Sequence, residues 1–362
     1  MPPTPGDLPG EGFGDDSGEA GGDLERRIDH DAATGAVRHP VTTAARHLLG
    51  AEAQPLSGGY SGETFLVGAP GEEAVLRLYL REPGRAGIDA ALLALVRDLV
   101  PVPRVLDLRT RATPEQPAYL LTERLPGVPL DRLLPDAPPS LRKAAGASVG
   151  RVLARLSGMP FPRAGEFVDA DLRIRPWTGA AGGLEEWVNA HRESGALAGW
   201  SFADIAGLRE VARQGQDLLD EVRRTCLCHS DFNPKNVLVD PGSGEVTGLV
   251  DWEYAHAGNP FADLGNLLRF ETDEVFATAV VDALRTYGPP LPAAFGQIAQ
   301  AVDLFALVDL AGRAEQHEIT RAATDLLLRC ARARDLSGGR PDWTSERRPG
   351  PGGSTERPQG LS

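Results

Sequence analysis

The segment His229-Ser230-Asp231-Phe232-Asn233-Pro234-Lys235-Asn236 sets a carboxylate and a carboxamide five residues apart. Fifteen residues beyond Asn236, directly after the apolar pair Leu249-Val250, comes a second carboxylate, Asp251. Between them NVLVD and VTGLVDW read as short strands, with Pro241-Gly242-Ser243-Gly244 as the turn. A hairpin of that length returns the end of its second strand to the start of its first, so Asp231, Asn236 and Asp251 are expected to converge. Asn236 and Asp251 offer hard oxygen ligands of the kind that suit Mg²⁺, which keeps several waters and shares a nucleotide's phosphates. Asp231 then stays free to accept a hydroxyl proton. Phosphoryl transfer divides its labour in this way: a cation offsets developing charge, and a carboxylate aligns the nucleophile.

The bulk properties of the chain narrow what such a site can serve. Fifty-one acids against 37 bases give a formal net charge of -14 over 362 residues, a sign that repels nucleic-acid phosphates and anionic lipid surfaces. No nucleic-acid or membrane partner is expected, and no apolar run of membrane-spanning length stands out. Three cysteines, Cys226, Cys228 and Cys330, are too few for a disulfide framework and point to a reducing, cytoplasmic location. The opening MPPTPGDLPGEGFGDD lacks the basic and apolar regions of a secretory signal. Cys226 and Cys228 share one strand face, but no second ligand cluster completes a tetrahedral site, so they read as buried thiols. Lys143 and Lys235 are the two lysines among the 37 bases, so an arginine in this chain does not by itself signal bidentate recognition.

The elements that must position the site follow from pattern. Residues 1–40 begin with a Gly-rich, acidic stretch that cannot bury enough apolar surface to offset chain entropy, and residues 337–362 are similarly rich in Gly, Pro and Ser. Both are expected to be disordered tails. Over 41–123 the pattern gives a short helix at Val41–Leu49, then strands in QPLSGGYSGETFLV and EEAVLRLYL with a hairpin tip at Ala69-Pro70-Gly71. A helix over Ile88–Val100 and strands in VPRVLDL and PAYLLTERL complete this sheet-rich part. From 124 to 336 helices dominate: one capped by Ser140 with a stripe of Leu141, Ala145, Val149, Val152 and Leu156, then Ala203–Val222, Leu264–Tyr287 and Val302–Cys330.

At CHSDFNPKNVLVD and GLVDWEYAHAGNPFADLGN the chain resembles the aminoglycoside phosphotransferase family, the small-molecule branch of the protein-kinase-like fold. The resemblance extends over about Ala51 to Arg334. It implies an α+β, bilobal fold: a small antiparallel-sheet N-lobe with one main helix, and a larger, mostly helical C-lobe. It implies ATP and Mg²⁺ as cofactors and a small-molecule hydroxyl acceptor such as an antibiotic, an amino alcohol or a sugar. Asp231 would be the catalytic base, and Asn236 and Asp251 the metal ligands. Gly58, Gly59, Ser61 and Gly62 would cradle phosphates through backbone N–H groups. Arg77 stands where the fold places a strand lysine, Asp89 where it places the partner helix glutamate, and the two are expected to pair. Backbone groups of Glu123 and Leu125, at the join between lobes, would read adenine.

Other residues carry two readings each. His229 is expected to pack under the loop and bond backbone. Asp263 either braces the catalytic loop, as the resemblance implies, or caps a helix before Leu264. Lys235 is a phosphate contact or a solvated loop residue. Glu253, Glu271, Asp273 and Glu274 could pair with a polycationic acceptor or form a solvated acidic face, and Trp177, Trp187 and Trp200 could wall a pocket or pin a long loop. The exchanges at Arg77 and Asp89 motivate an alternative class, a nucleotide-binding module without turnover. A protein-substrate kinase is disfavoured because no activation segment of the D-F-G to A-P-E kind follows Asp251.

Overall fold

The computed structural model describes residues 53–344 apart from 57–63, 70, 114–115, 179–181 and 314–316, all within the unit running from Val41 to Ser362. The expected tail over 1–40, the Val41–Leu49 helix, Pro70 of the hairpin tip, and the loop residues Gly58, Gly59, Ser61 and Gly62 lie outside the described residues.

Five strands, β1 (Ala53–Pro55), β2 (Thr64–Val67), β3 (Ala74–Tyr79), β4 (Val105–Arg109) and β5 (Ala118–Glu123), form an antiparallel sheet in the order β1-β2-β3-β5-β4. The side-chain alternation of β3 buries Leu76 and Leu78 and leaves Arg77 between them at the sheet's other face. Helix α1 (Arg85–Val96) buries Ala86, Ile88, Leu92, Leu93 and Val96. It starts a turn earlier than its apolar spacing indicates, and so takes in Arg85.

The second lobe opens with β6 (Val128–Pro129) and the short α2 (Leu130–Leu133), then α3 (Pro139–Ser157). α3 begins at Pro139 with no side-chain cap, so the expected Ser140 cap is not formed; a proline inside the first turn needs no amide partner there. Strands β7 (Pro160–Phe161), β8 (Gly165–Phe167) and β9 (Ile174–Arg175) are followed by α4 (Leu184–His191) and α5 (Phe202–Asp220). Then come β10 (Thr225–Cys228), β11 (Val237–Val239), β12 (Val246–Leu249) and β13 (His256–Gly258). Strands β12, β11 and β6 make one small sheet, and β7, β10, β13, β8 and β9 another. Helices α6 (Ala262–Leu268), α7 (Glu274–Tyr287), α8 (Phe295–Gly312) and α9 (Glu318–Ala333) complete the lobe.

Two of the expected helices are pairs. Leu264–Tyr287 is divided because Asp273 caps α7, its side chain accepting from the Phe276 amide at 2.7 Å. Val302–Cys330 is divided between α8 and α9, where the His317 side chain caps the second. α3 packs on α7 through two glycines: a methyl at Gly146 or Gly150 would stand 2.5 or 2.4 Å from the carbonyl oxygens of Phe276 and Val280. One core runs from Leu92 and Val96 of α1 through Leu227, Phe232, Leu249 and Trp252 to Phe276 and Val280 of α7. A second joins α4, α5, α8 and α9. α8, at 18 residues, is long and apolar enough by composition to cross a membrane; here it is half buried, with Leu304, Leu307, Val308 and Ala311 inside that second core.

Residues 337–344, read from sequence as the start of a tail, are packed. Trp343 lies against the main core, Arg340 donates to the Leu336 carbonyl at 2.8 Å, and Arg285 bonds the Thr344 carbonyl. The aromatic surface of Trp343 and the Arg340 guanidinium supply partners that the Gly/Pro content of the segment hides.

Candidate active site

β11 and β12 pair with Val237 opposite Leu249, and the Val250 amide donates to the Asn236 carbonyl at 3.0 Å. The hairpin therefore closes as the spacing requires, and Asp251 emerges beside Asn236. The loop before β11 tightens through a 3-10 turn, Pro234–Asn236, which turns the Asn236 side chain back onto Asp231. Both oxygens of Asp231 accept from carboxamides: Oδ1 from Asn233 Nδ2 and Oδ2 from Asn236 Nδ2, each at 2.6 Å. Lys235 Nζ stands 3.7 Å from the same Oδ2. Burial pushes the Asp231 carboxyl above the usual carboxylate range, Lys235 opposes, and the charge of Asp251 adds to the rise. A base lifted toward working pH accepts a proton more readily.

Two non-glycine residues here hold left-handed backbone, Ser230 at φ 63° and Asp251 at φ 68°. Each such residue costs about 1 kcal/mol or more, so the surroundings must hold it. The Ser230 turn is held by Asp263, whose oxygens accept from the amides of His229 at 2.9 Å and Ser230 at 2.7 Å. Asp263 therefore braces the loop, and it sits inside the first turn of α6 with no side-chain capping bond of that helix. Burial raises its carboxyl to about 6 against the pull of those two amides. His229 is fully buried beneath the loop. Its Nε2 donates to the Val250 carbonyl at 3.0 Å and its Nδ1 accepts from the Asp231 amide at 3.3 Å, which fixes the tautomer. Burial lowers its pKa to about 4, so it is neutral and structural.

The expected pair between Arg77 and Asp89 is absent. Arg77 Nη1 donates to Asp251 Oδ1 at 2.8 Å and Nη2 to Glu253. Asp89 instead accepts from Tyr79 Oη and from Arg85 Nε, each at 2.6 Å. The reason is local: Arg85 lies one helical turn before Asp89 and Tyr79 lies on the neighbouring strand, so both reach the carboxylate from closer than Arg77 does. Burial pulls the Arg77 guanidinium down, but the charges of Asp251 and Glu253 outweigh it and hold the group firmly protonated.

Asp251 and Asn236 present one carboxylate and one amide oxygen, the nitrogen of Asn236 being spent on Asp231. Among the described residues no three His, Cys, Asp or Glu side chains form a self-sufficient metal cage. A cation held here must fill its shell with water and phosphate oxygens, which Mg²⁺ accepts and a structural zinc does not. The donor set fits Mg²⁺ bound together with a nucleotide.

At the end of β5 the Glu123 amide donates to the Arg104 carbonyl at 3.0 Å and its Oε1 accepts from the Arg104 amide at 3.0 Å, so the Glu123 amide is already engaged. Leu125 is half-buried two residues on. Three of the four acidic residues weighed as ligands of a cationic acceptor are engaged elsewhere: Glu253 with Arg77, Asp273 with Arg142 at 2.6 Å and as the α7 cap, and Glu271 with the amides of Thr272 and Asp273; Glu274 lies in the first turn of α7. Trp187 and Trp200 pack against the second core. Trp177 is different, standing edge-on to His256 with ring centres 4.7 Å apart, and His256 reaches Ser230 Oγ at 3.0 Å. Cys226 and Cys228 are buried free thiols on β10.

Sequence reading passed over Tyr79 and Arg85, and left Trp177 between a pocket wall and a loop pin. For Arg85 a signal existed: an arginine four residues before an acid on a helix is a standing ion-pair pattern.

The family model for a phosphotransferase enzyme family matches residues 52–298. The chain is 30% identical over 213 residues to an aminoglycoside 3'-phosphotransferase of Streptomyces fradiae, covering 57% of this chain and 74% of that protein. It is 26% identical over 224 residues to acyl-CoA dehydrogenase family member 10 of Mus musculus; that match covers 57% of this chain but spans 19% of the much longer mouse protein. Among solved structures, a ternary complex of a thermostable mutant of aminoglycoside phosphotransferase APH(4)-Ia with AMP-PNP and hygromycin B superposes with a TM-score of 0.55 at 19% identity, covering 83% of this chain and 99% of that one. The GDP complex of wild-type aminoglycoside 2'-phosphotransferase-IIIa gives a TM-score of 0.56 at 17% identity, covering 82% and 93%. These likenesses establish the shared fold, a sheet-rich N-terminal lobe and a helical C-terminal lobe.

Proposed function

The chain belongs to the phosphotransferase enzyme family, and on that premise we propose that it transfers the γ-phosphoryl group of ATP to a hydroxyl of a small molecule. The observation that carries the reading is the meeting of Asp231, Asn236 and Asp251 at the open end of one hairpin. Asp231 orients the acceptor hydroxyl and takes its proton as the oxygen attacks the γ-phosphorus; the bond to the β-phosphate oxygen breaks, leaving a phosphate ester and ADP. Asn236 and Asp251 would hold Mg²⁺, which would offset charge on the phosphates when bound. Arg77 turns from Asp251 and Glu253 to the phosphates, and closure of the lobes excludes water.

Relatives named aminoglycoside phosphotransferases, and a fold neighbour holding AMP-PNP with hygromycin B, favour ATP and a hydroxylated acceptor of the antibiotic, amino-alcohol or sugar kind. The neighbour holding GDP makes GTP the donor to test beside it. The test is Mg²⁺-dependent phosphate transfer from ATP or GTP across a panel of aminoglycosides, amino alcohols and sugars, with Asp231→Ala as control. A second reading, nucleotide binding without turnover, draws on the ion pairs that tie Arg77 to Asp251 and Glu253. Nucleotide binding with no transfer to any acceptor would favour it.

A further inference from the structure

The acid of α1 does not reach Arg77, yet it is among the most fully engaged side chains near the site. Asp89 is 3% exposed and both its oxygens are bonded, one by Tyr79 Oη and one by Arg85 Nε, each at 2.6 Å. Arg85 then carries the connection outward: its Nη2 donates to the backbone carbonyl of Trp252 at 2.8 Å, across a sequence separation of 167 residues. Trp252 is itself fixed. Its indole N–H bonds the Leu249 carbonyl at 3.1 Å and its ring stands edge-on to His229 with centres 4.7 Å apart. The carbonyl that Arg85 grips therefore ties down the peptide between Trp252 and Glu253, one residue past the left-handed Asp251. The circuit closes on the opposite side, where the Arg77 guanidinium lies 5.6 Å from the centre of the Tyr79 ring and bonds Asp251.

We propose that Arg85 is a positioning residue for the site: Asp89, acting through Arg85, anchors the Asp251-Trp252-Glu253 turn to α1 and sets where the Asp251 carboxylate stands. This connection takes the place of a direct ion pair between α1 and Arg77. It leaves Arg77 free to exchange Asp251 and Glu253 for phosphate without loosening the helix. The inference rests on Asp251 as a cation ligand in the function proposed above. Among the described residues the side-chain hydrogen bonds of Arg85 go to Asp89 and the Trp252 carbonyl, so its removal is expected to act on the cation rather than on acceptor binding.

The test measures Mn²⁺ affinity of the full chain in the presence of AMP-PNP, from the electron paramagnetic resonance signal of free Mn²⁺, beside kcat and the acceptor KM. Arg85→Ala is expected to weaken Mn²⁺ binding and lower kcat, each about tenfold to hundredfold, the range for residues that orient a metal ligand. The acceptor KM and the metal-free affinity for AMP-PNP stay within about twofold of wild type. Arg85→Lys, which keeps the charge and a donor, recovers part of the Mn²⁺ affinity. If Arg85→Ala does not fold, Asp89→Asn reads the same link and gives the same selective weakening. Wild-type Mn²⁺ affinity in these variants, or an equal loss of metal-free nucleotide binding, overturns the assignment. Wild-type protein that binds Mn²⁺ and AMP-PNP but phosphorylates no acceptor overturns the transferase reading alone, and the Mn²⁺ comparison still decides the role of Arg85.

Discussion

Asp263→Ala removes the acceptor that holds the amides of His229 and Ser230, at 2.9 and 2.7 Å, in the turn before Asp231. Two buried donors lose their partner, at about 1–3 kcal/mol each. Part of that loss is offset near neutrality, because the wild-type carboxylate is itself held in an unfavourable place: burial raises its pKa to about 6 from an ordinary 3.8. The sign follows from proton binding. The folded chain holds the Asp263 proton more tightly than the unfolded chain, so the contribution of this group is most favourable below about pH 4, declines as pH rises toward 6, and is flat above that. Integrated from pH 4 to pH 7, a rise of this size is worth about 2 kcal/mol. The stability difference between wild type and Asp263→Ala should therefore be about 2 kcal/mol larger at pH 4 than at pH 7. Urea unfolding of both proteins at the two pH values measures it, and taking the difference cancels the other titrating groups. A difference that is the same at both pH values, or larger at pH 7, would refute the account of Asp263 as a buried, strained brace.

Arg77→Ala should raise the KM for ATP about tenfold to hundredfold through loss of charge-assisted bonds to phosphate, and steady-state kinetics would show an unchanged KM if Arg77 merely ties Asp251 to Glu253. His229 is held neutral with its pKa lowered to about 4, so the unfolded chain takes up a proton at higher pH than the folded one. Wild type should lose roughly 3 kcal/mol from this group as pH falls from about 6.5 to 4, and a His229→Phe variant that keeps the whole slope in urea titrations would contradict it. Trp343→Ala should lower stability by about 1–2 kcal/mol, a few degrees in Tm by calorimetry, because that ring packs on the main core; no change would return residues 337–344 to the status of a tail.

The convergence of the candidate site residues was legible in the sequence because it depends on separations along one hairpin. A turn at Pro241-Gly242-Ser243-Gly244 and two apolar strands oblige Asn236 and Asp251 to meet, and local geometry leaves little alternative. His229 was readable as a buried loop residue that bonds backbone, whereas the bracing role of Asp263 was implied by the family resemblance alone beside a helix-cap alternative, and the left-handed backbone it holds at Ser230 was not readable. What could not be read was pairing between distant elements. Arg77 and Asp89 have matching charge and suitable places in the fold, yet Asp89 is taken by Arg85 one turn earlier on α1 and by the Tyr79 hydroxyl, and which partner reaches a buried carboxylate first is settled by tertiary packing. Composition misled at residues 337–344, where Gly and Pro suggested no structure although Arg340 pairs with Asp303 of α8 at 3.5 Å and Trp343 packs on the main core. Helix breaks at Asp273 and His317 were hidden by continuous apolar periodicity on both sides of each cap.

Phosphate transfer from γ-³²P-labelled ATP to the acceptor panel, run on wild type, Asp231→Ala, Asn236→Ala and Asp251→Ala with and without Mg²⁺, tests the central claim most directly. Wild type should label at least one acceptor with Mg²⁺ alone present as the divalent ion. Asp231→Ala should still bind nucleotide but fall by a factor of about 10² to 10⁴ in kcat, and the other two variants should lose their response to Mg²⁺. An Asp231→Ala protein that transfers phosphate at the wild-type rate would contradict the account.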